Sequence, residues 1–441
     1  MSSITEVARE MQAVLTSEAD RQGRESGFVQ RESKLGGAEF AQTLTFGWLS
    51  NPEATLEELA QTAASLGVTI SPQGLDQRFT PAAAACLKGV LGAAIERMVC
   101  ASSPTAIPML QSFPAVYIQD SSLIKLPEQL AVVWRGCGGR SGLGQSTLKV
   151  EVRWELKGGC LTGPLLEDGR VNEHRSLIQA KPLPKGSLRI ADLGYWSLSE
   201  MQAQSDAGVF WLSYLQCHTV VFDQHQRRWN VVDLLQAQGS SRIELPVYLG
   251  VSVRLPARLL AVRVSQEVAD RRRHYLHQRA QRLQKPVSRT ALALANWTVI
   301  VTNLPAERLS LSEALVLIRI RWQVELLFKL WKSQGQVDEW RSAKPWRILC
   351  EVYAKLLAML IQHWLFLLSC WCSPDRSLTK AAQTVRRQAL HLASSFAILE
   401  QLVNAIQIIQ RCLSVGCRIN KSRITPRAYQ LLLEVSEEGL A

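Results

Sequence analysis

The sequence lacks the cysteine arrangements that hold a structural zinc ion. Its ten cysteines are scattered along 441 residues, and the close pairs are Cys370 with Cys372 and Cys412 with Cys417. Neither pair has histidines at the spacing of a zinc site. Because the chain carries no export signal, we expect free, buried thiols rather than zinc ligands.

The sequence also lacks the segments typical of export and of membrane anchoring. Its N-terminal stretch, MSSITEVAREMQAVL, is amphipathic and too acidic for a signal peptide. The most apolar run, residues 354–372, contains Lys355, Gln362 and His363, which favours a buried core helix over a membrane span. We therefore predict a cytoplasmic protein without a membrane partner.

Acidic residues are outnumbered by basic ones. The chain has 50 Lys and Arg against 38 Asp and Glu, a formal net charge of +12. This excess favours a polyanionic partner, of which nucleic acid is the commonest. The length allows two to four domains with a large core.

Residues 1–105 have the pattern of helices. One helix is predicted to begin at Thr55 and end at Gly67, and a second to begin with Ser71 as N-cap and Pro72 at its first position. This spacing is roughly that of a helix-turn-helix with a stretched turn, although an ordinary pair of packed helices gives the same pattern. The groove-facing candidates are Gln73, Gln77 and Arg78.

Strand-like segments follow. AVYIQDSSLIKL is a short apolar run that we expect to end at Asp120, residues 147–156 alternate as in a strand, and SLRIADLGYW predicts a strand ending at Asp192. The glycine-rich RGCGGRSGLG lacks the Lys-Ser/Thr ending and the following helix of a P-loop. A hairpin loop is therefore predicted there.

The second half of the chain returns to helices. Several β-type segments, including RRWNVVDLL, fill residues 209–264. Residues 263–289 form a basic helical stretch with eight Lys and Arg against two acids, for which phosphate contact is favoured over a merely solvated face. A strand is predicted within residues 296–305, and residues 345–441 are helical.

The helix IRIRWQVELLFKLWK, residues 318–332, carries a single carboxylate, Glu325, among four cations. Arg321 and Lys332 lie four residues before and seven after it, so they share one helical face with it, together with Phe328 and Lys329. A solvated Arg–Glu pair, contributing a few tenths of a kcal/mol, is the simpler interpretation. A carboxylate in a site that also binds an anion is the alternative.

Three isolated carboxylates can form a metal site. Asp120, Asp192 and Glu325 come from a strand, a strand and a helix, and their oxygens suit hard divalent cations such as Mg²⁺. Two such ions about 4 Å apart can activate a water or a 3′-hydroxyl at a phosphodiester and stabilise the leaving oxygen.

These motifs together resemble the DDE transposases of bacterial insertion sequences, and most closely the insertion-sequence-four family. That family carries Tyr, two residues, Arg, three residues, Glu, six residues and Lys. Arg321, Glu325 and Lys332 match this signature, whereas Ile318 replaces its tyrosine. YIQDSS and ADLGYW resemble the first and second aspartate motifs, and GFVQRESKL extends the resemblance towards the N-terminus.

The resemblance implies an α/β fold with a ribonuclease-H-like mixed-sheet catalytic core, interrupted by a β-rich insertion and flanked by helical regions. The implied division is 1–105 for a helical DNA-binding region, 106–205 and 291–374 for the two parts of the core, 206–290 for the insertion with its basic helix, and 375–441 for a helical C-terminal region that is a candidate dimerisation element.

The resemblance also implies roles for single residues. Asp120, Asp192 and Glu325 are expected to hold two Mg²⁺ or Mn²⁺ ions. Arg321, Lys332 and the neighbouring Lys329 are expected to contact DNA phosphates. Trp297 matches a tryptophan that stacks on a flipped base in hairpin-forming relatives, and a core strand tryptophan is the alternative.

The implied function is metal-dependent cut-and-paste transposition by strand nicking, hairpin formation and strand transfer. Its partners are double-stranded DNA, both terminal inverted repeats and target, and a second copy of the chain in a synaptic homodimer in the bacterial cytoplasm, at the nucleoid. An inactive or domesticated transposase acting as a DNA-binding regulator is the alternative, supported by Ile318. A generic nuclease of the same fold would stop at cleavage.

Overall fold

The computed structural model describes residues 3–31, 34–138, 145–373, 375–419 and 430–432. The architecture is mixed α/β, as expected. The chain divides into two compact units, which we call unit 1 and unit 2. Unit 1 comprises Met1–Ala106, Asp120–Val171 and Gln323–Thr425, and unit 2 comprises Ile107–Gln119, Asn172–Trp322 and Pro426–Ala441. The five-part division predicted from the sequence stays a prediction.

The helices and strands have the following bounds. The α-helices are Ile4–Ala13 (α1), Ala19–Glu25 (α2), Gly37–Ser50 (α3), Leu56–Ser65 (α4), Pro72–Asp76 (α5), Pro81–Ile95 (α6), Pro108–Gln111 (α7), Leu198–Asp206 (α8), Val231–Ala237 (α9), Gln266–Leu283 (α10), Arg289–Leu294 (α11), Leu311–Ile320 (α12), Trp322–Gly335 (α13), Pro345–Leu367 (α14), Leu378–Ser394 (α15) and Leu399–Val415 (α16). The strands are Val116–Leu126 (β1), Ser146–Glu155 (β2), Leu161–Asp168 (β3), Leu188–Ala191 (β4), Phe210–Tyr214 (β5), Val221–Phe222 (β6), Arg228–Trp229 (β7), Arg242–Leu249 (β8), Leu255–Arg263 (β9) and Trp297–Thr302 (β10).

The predicted helix starts in the N-terminal region are confirmed. Thr55 caps α4 in a capping box with Glu58, and Ser71 caps α5 with Pro72 at its first position. The helix α5 has only five residues. The helix-turn-helix interpretation stays a prediction.

The strand that carries Asp120 was predicted wrongly at its end. We expected it to stop at Asp120, but β1 continues to Leu126, so this carboxylate lies in the middle of a strand. Beyond the polar Ser121 and Ser122, the strand buries Ile124 and Leu126 and exposes Leu123. The alternation of a strand therefore resumes after the serines. The β2 strand and the end of β4 just before Asp192 are confirmed.

The segment RRWNVVDLL is not a continuous strand, which corrects its interpretation as β-type. The strand β7 covers only Arg228–Trp229, and α9 follows at once. The Asn230 side chain accepts a hydrogen bond from the Val232 N–H at 2.9 Å and caps the helix. The buried residues Val231, Leu234 and Leu235 have helical spacing.

Unit 2 is built around a mixed sheet. Its strand order is β1-β4-β5-β10-β9-β8-β6-β7, in which β1, β4 and β5 are parallel and the later pairs are antiparallel. Val116 pairs with Leu188, which pairs with Phe210. The antiparallel part buries a cluster that includes Trp211, Leu259 and Val301. This unit therefore has an apolar core of its own.

Unit 1 joins a short sheet to helices. Its strands follow the order β3-β2-β1, and β2 and β3 form an antiparallel pair. Gly136 and Gln145 pair through their backbones next to β2, as expected of a hairpin, but residues 139–144 of the predicted glycine-rich loop lie outside the described residues. The helix α14 packs against α3, α6 and α15.

The helix α14 is the predicted core helix. It is long and apolar enough to cross a membrane, but its apolar window is entirely buried in this structure. Within it, Lys355 Nζ lies 2.7 Å from Glu351 Oε1 and donates to the backbone oxygens of Gln336 at 3.1 Å and Glu339 at 2.8 Å. Burial raises the pKa of the Glu351 carboxyl and lowers the pKa of the Lys355 ammonium. These contacts satisfy the buried ammonium group.

Two cysteines depart from the expectation of free thiols. Cys100 and Cys160 form a disulfide, with Cα atoms 4.8 Å apart. The Ala101 N–H donates to the Gly158 oxygen at 2.7 Å and brings the two segments together. The free thiols of Cys86, Cys350, Cys370 and Cys417 are buried, as expected, whereas those of Cys137, Cys372 and Cys412 are exposed.

A buried histidine predicts a pH-dependent stability. Burial lowers the pKa of His363 from 6.5 to about 4, and its Nε2–H donates to the Gly159 oxygen at 2.7 Å. Because the folded pKa is the lower one, the unfolded chain binds more protons between these values, and stability falls as the pH drops from about 6.5 towards 4, by roughly 3 kcal/mol for this group. In urea denaturation, the free energy of unfolding of His363→Gln should therefore fall less steeply over this pH range than that of the wild-type protein.

The matched control is His391→Gln, which replaces an exposed histidine on α15 and should keep the wild-type pH dependence. If the pH dependence of the unfolding free energy were the same in His363→Gln as in the wild type, it could not be due to His363. The slope is compared rather than the absolute stability, because the substitution also changes packing against Trp154 and Trp371.

Candidate active site

A pocket of about 480 Å³ in unit 1 is lined by β1, α13 and the segment that follows α13. Alternation along β1 places Asp120 and Ser122 on one face, and helical spacing does the same for Glu325, Lys329 and Lys332. The structure therefore brings two of the three predicted carboxylates together with two of the predicted phosphate-contacting lysines. The full lining is Asp120, Ser121, Ser122, Glu325, Phe328, Lys329, Lys332, Ser333, Asp338 and Glu339.

Lys332 is held at the pocket by two oxygens. Its Nζ lies 3.3 Å from Asp338 Oδ2 and donates to the Leu123 backbone oxygen at 3.1 Å. About a third of the side chain remains exposed. The ammonium group is therefore positioned before any ligand arrives, while one side stays open to solvent.

Asp338 and Glu339 are pocket residues that the sequence analysis missed. The chain turns sharply after α13 because Gln336 adopts a left-handed conformation with φ of 45°. Lys355 holds this turn by its bonds to the Gln336 and Glu339 oxygens. The only signal in the sequence was an acidic pair, DE, just beyond the helix.

The pocket is acidic overall and chemically suited to a cation. Four carboxylates and two ammonium groups line it, a formal charge of 2 − 4 = −2. Asp120 Oδ1 accepts the Ser121 N–H at 2.8 Å, which orients that carboxylate. Carboxylate oxygens fit Mg²⁺ or Mn²⁺. Within the described part of the chain, no group of three or more His, Cys, Asp or Glu is placed to hold a metal ion.

Asp192 and Arg321 lie together in unit 2. Asp192 directly follows β4 and precedes the 3₁₀ turn Leu193–Tyr195, and its Oδ1 is 3.6 Å from Arg321 Nε. The Asp192 side chain is 43% exposed and that of Arg321 is 13% exposed. The long predicted helix is divided at Arg321, which lies between α12 and α13. The pair thus combines an accessible carboxylate with a largely buried guanidinium.

A phenol that sequence reasoning missed lies near this pair. Tyr214 ends β5, and burial raises the pKa of its phenol, while the positive charges of Arg321, Arg272 and Arg319 act in the opposite direction. Ile318, which replaces the tyrosine of the family signature, is only 2% exposed. The aromatic strand FWLSY was the only sequence signal for Tyr214.

Trp297 occupies the first position of β10. It is partly buried and packs against the apolar cluster of unit 2, and its backbone oxygen accepts from Arg272 Nη1 at 2.8 Å. These contacts are those of a strand tryptophan at the edge of a core. Base stacking by Trp297 stays a prediction.

The predicted DNA-reading residues of the N-terminal region differ in their surroundings. Gln73 and Gln77 are exposed. Arg78 is half-buried, donates from Nη2 to the Leu35 oxygen at 3.2 Å and lies over the Phe28 ring at 4.4 Å. Burial lowers the pKa of its guanidinium. These contacts favour a structural role for Arg78, and its DNA contact stays a prediction.

Comparison with known proteins gives consistent matches. A family model described as "Transposase DDE domain" matches residues 111–361, more than half of the chain. The transposase for insertion sequence element IS231F of Bacillus thuringiensis subsp. israelensis is 26% identical over 375 residues, covering 80% of this chain and 78% of that protein. The transposase for element IS231C of subsp. berliner is 28% identical, covering 77% and 74%. The transposase for element IS1151 of Clostridium perfringens is 22% identical, covering 78% and 77%.

The pocket predicts which carboxylates bind a cation. Glu325→Gln should weaken Mn²⁺ binding at least tenfold in isothermal titration calorimetry, because it removes an oxygen of a predicted metal ligand. Asp338→Asn should weaken it no more than about threefold, because that carboxylate is already paired with Lys332. An equal loss in the two variants would contradict this division of roles.

Proposed function

The chain belongs to the family of transposase DDE domains, and from that premise we propose that it is a cut-and-paste transposase of the insertion-sequence-four type. The observation that carries the proposal is the pocket in which Asp120 and Glu325 lie beside Lys329 and Lys332. Related proteins that match more than three quarters of the chain are named as transposases for insertion sequence elements. The substrate is DNA.

Asp120, Asp192 and Glu325 are the three carboxylates of the active site. Their carboxylate oxygens would hold two Mg²⁺ or Mn²⁺ ions, which would lower the pKa of an attacking hydroxyl and stabilise the leaving oxygen. Arg321 lies beside Asp192 and orients its carboxylate by charge-assisted contact. The residues of the chain thereby supply the ligands and hold them in place.

Lys329 and Lys332 contact phosphate oxygens next to the scissile bond. Both line the pocket with Glu325, and Lys332 is already oriented by the Leu123 oxygen. Their positive charges offset the repulsion between a phosphodiester and the carboxylates, which would otherwise oppose binding. Arg321 contributes the same type of contact.

The reactions on DNA are successive phosphodiester displacements. Water first opens one strand and leaves a 3′-hydroxyl, which attacks the opposite strand and closes a hairpin. Hydrolysis reopens the hairpin, and the same 3′-end then joins target DNA. Each step replaces one P–O bond with another, so a single set of carboxylates serves all of them. Trp297 stacks against the base that is extruded at the hairpin.

The remaining parts of the chain have roles in DNA binding and assembly. The core is ribonuclease-H-like and is interrupted by a β-rich insertion over residues 206–290, which includes the basic helix α10. Gln73 and Gln77, which are exposed, take part in reading the terminal inverted repeats, with Arg78 supporting that region. The C-terminal helices join two copies in a synaptic homodimer, in the cytoplasm at the bacterial nucleoid.

A DNA-binding regulator without catalysis is the second candidate. It is favoured by one observation, the burial of Ile318 where the family signature has tyrosine. A buried aliphatic side chain cannot donate a hydrogen bond to phosphate. The two candidates differ in cleavage, not in binding.

Cleavage separates these candidates. With a DNA duplex bearing the element's own ends, the wild-type protein should excise and join DNA only when Mg²⁺ is present. Glu325→Gln should reduce product at least a thousandfold while keeping DNA affinity, because it removes a ligand and retains the fold. The control Glu400→Gln, on the exposed surface of α16, should cleave normally.

Two results would count against the transposase. If wild type and Glu325→Gln bind DNA equally and neither cuts it, the chain is a regulator in a transposase fold. If wild type cuts without joining the ends to target DNA, it is a nuclease.

A further inference from the structure

Among the described residues, the side-chain hydrogen bonds that join the helix α10 to the rest of unit 2 come from its first half. It has 18 residues, about 27 Å of helix, and Ala269 is its only buried residue. Arg272 donates to the Trp297 oxygen at 2.8 Å and to Thr298 Oγ1 at 2.9 Å, and Arg273 donates to Asn296 Oδ1. These bonds anchor the first half of the helix to β10.

The positive charges of the first half are largely compensated. Glu267 pairs with Arg271 and Asp270 pairs with Arg273. No acidic residue follows between positions 271 and 285. The helix therefore changes from a balanced, anchored half to a basic, exposed half.

The second half, residues 274–285, has a composition that suits a polyanion. Among the described residues, Arg279 and Arg282 make no hydrogen bond or ion pair, and both are exposed. Tyr275 is 62% exposed and lies four and seven residues before them, so the three side chains share one helical face. Lys285 continues the charge, and His274 and His277 lie on the same half.

Such a helix is costly to leave unpartnered. A helical stretch as short as residues 274–283 is marginal in water without tertiary packing, and like charges one turn apart destabilise it further. A bound polyanion removes the repulsion and releases counterions. A membrane surface fits less well, because the exposed half lacks a continuous apolar face.

We propose that residues 274–285 form a DNA-binding arm, in which Arg279 and Arg282 contact phosphates and Tyr275 packs against the sugar-phosphate backbone. A single α-helix fits the major groove of duplex DNA, and an exposed basic helix can lie along it. The inference rests on the proposed function for the choice of DNA as the polyanion. It concerns binding alone and does not require cleavage.

The test measures DNA affinity as a function of salt. A fluorescent duplex of about 30 base pairs is titrated with the full chain by anisotropy between 50 and 200 mM NaCl. The double variant Arg279→Gln/Arg282→Gln should bind about tenfold or more weakly at 100 mM, and the slope of log K against log salt should fall by roughly 2, the value for two lost phosphate contacts. The variant Arg279→Lys/Arg282→Lys should keep most of the slope.

The matched control is Arg228→Gln/Arg387→Gln, which removes the same charge from two exposed arginines elsewhere. Circular dichroism of all variants checks that they fold. An affinity and slope equal to wild type in the α10 variant would overturn the proposal, and so would an equal loss in the control, which would indicate a general charge effect.

Two further measurements test whether another ligand is preferred to DNA and separate the failure of this proposal from that of the proposed function. Tighter binding to phosphatidylserine vesicles or to single-stranded RNA than to duplex DNA would overturn the DNA assignment. Loss of DNA binding in the α10 variant of a chain that does not cut DNA would support the arm and reject the transposase. If the wild type cleaves DNA and the α10 variant binds DNA as tightly as the wild type, the transposase is supported and the DNA-binding arm is rejected.

Discussion

The buried ammonium of Lys355 fixes the turn after α13, on which one side of the pocket in unit 1 depends. A charge in the core is tolerated only when its hydrogen-bonding capacity is satisfied, and Lys355 meets this requirement through Glu351 and two backbone oxygens. The two oxygens belong to the turn after α13, so satisfying the ammonium fixes the turn. This turn also places Asp338 next to Lys332. A core ion pair thus controls the charge at the pocket.

The local features of the fold were predictable from sequence because they depend on neighbouring residues. N-caps at Thr55 and Ser71, and the strand before Asp192, follow from short-range hydrogen bonding and alternation. The extension of β1 was missed because two serines interrupt an apolar pattern. The Cys100–Cys160 disulfide joins positions 60 residues apart and could not be found from local spacing.

The candidate site was predictable only in part, for the same reason. Glu325 and Lys332 lie on one helix, and Asp120 could be found through its motif. Asp338 reaches the pocket through a left-handed turn at Gln336 and a lysine on another helix, neither of which has a local pattern. Tyr214 approaches the arginines of unit 2 across strands. The position where the family signature has tyrosine is occupied by Ile318, which lies in the core. The tyrosine that lies near the arginines of unit 2 is Tyr214, which is outside the signature.

The contact between Lys332 and Asp338 has a consequence for the order of ligand binding under the proposed function. Because the ammonium already has a carboxylate 3.3 Å away, an arriving phosphate would replace one anion by another and would not have to desolvate a bare cation. The Asp338 carboxylate would then lose its cation, in a pocket that already carries excess negative charge. Phosphate at Lys332 would therefore raise the attraction of the pocket for a divalent ion, and each ligand would strengthen the binding of the other.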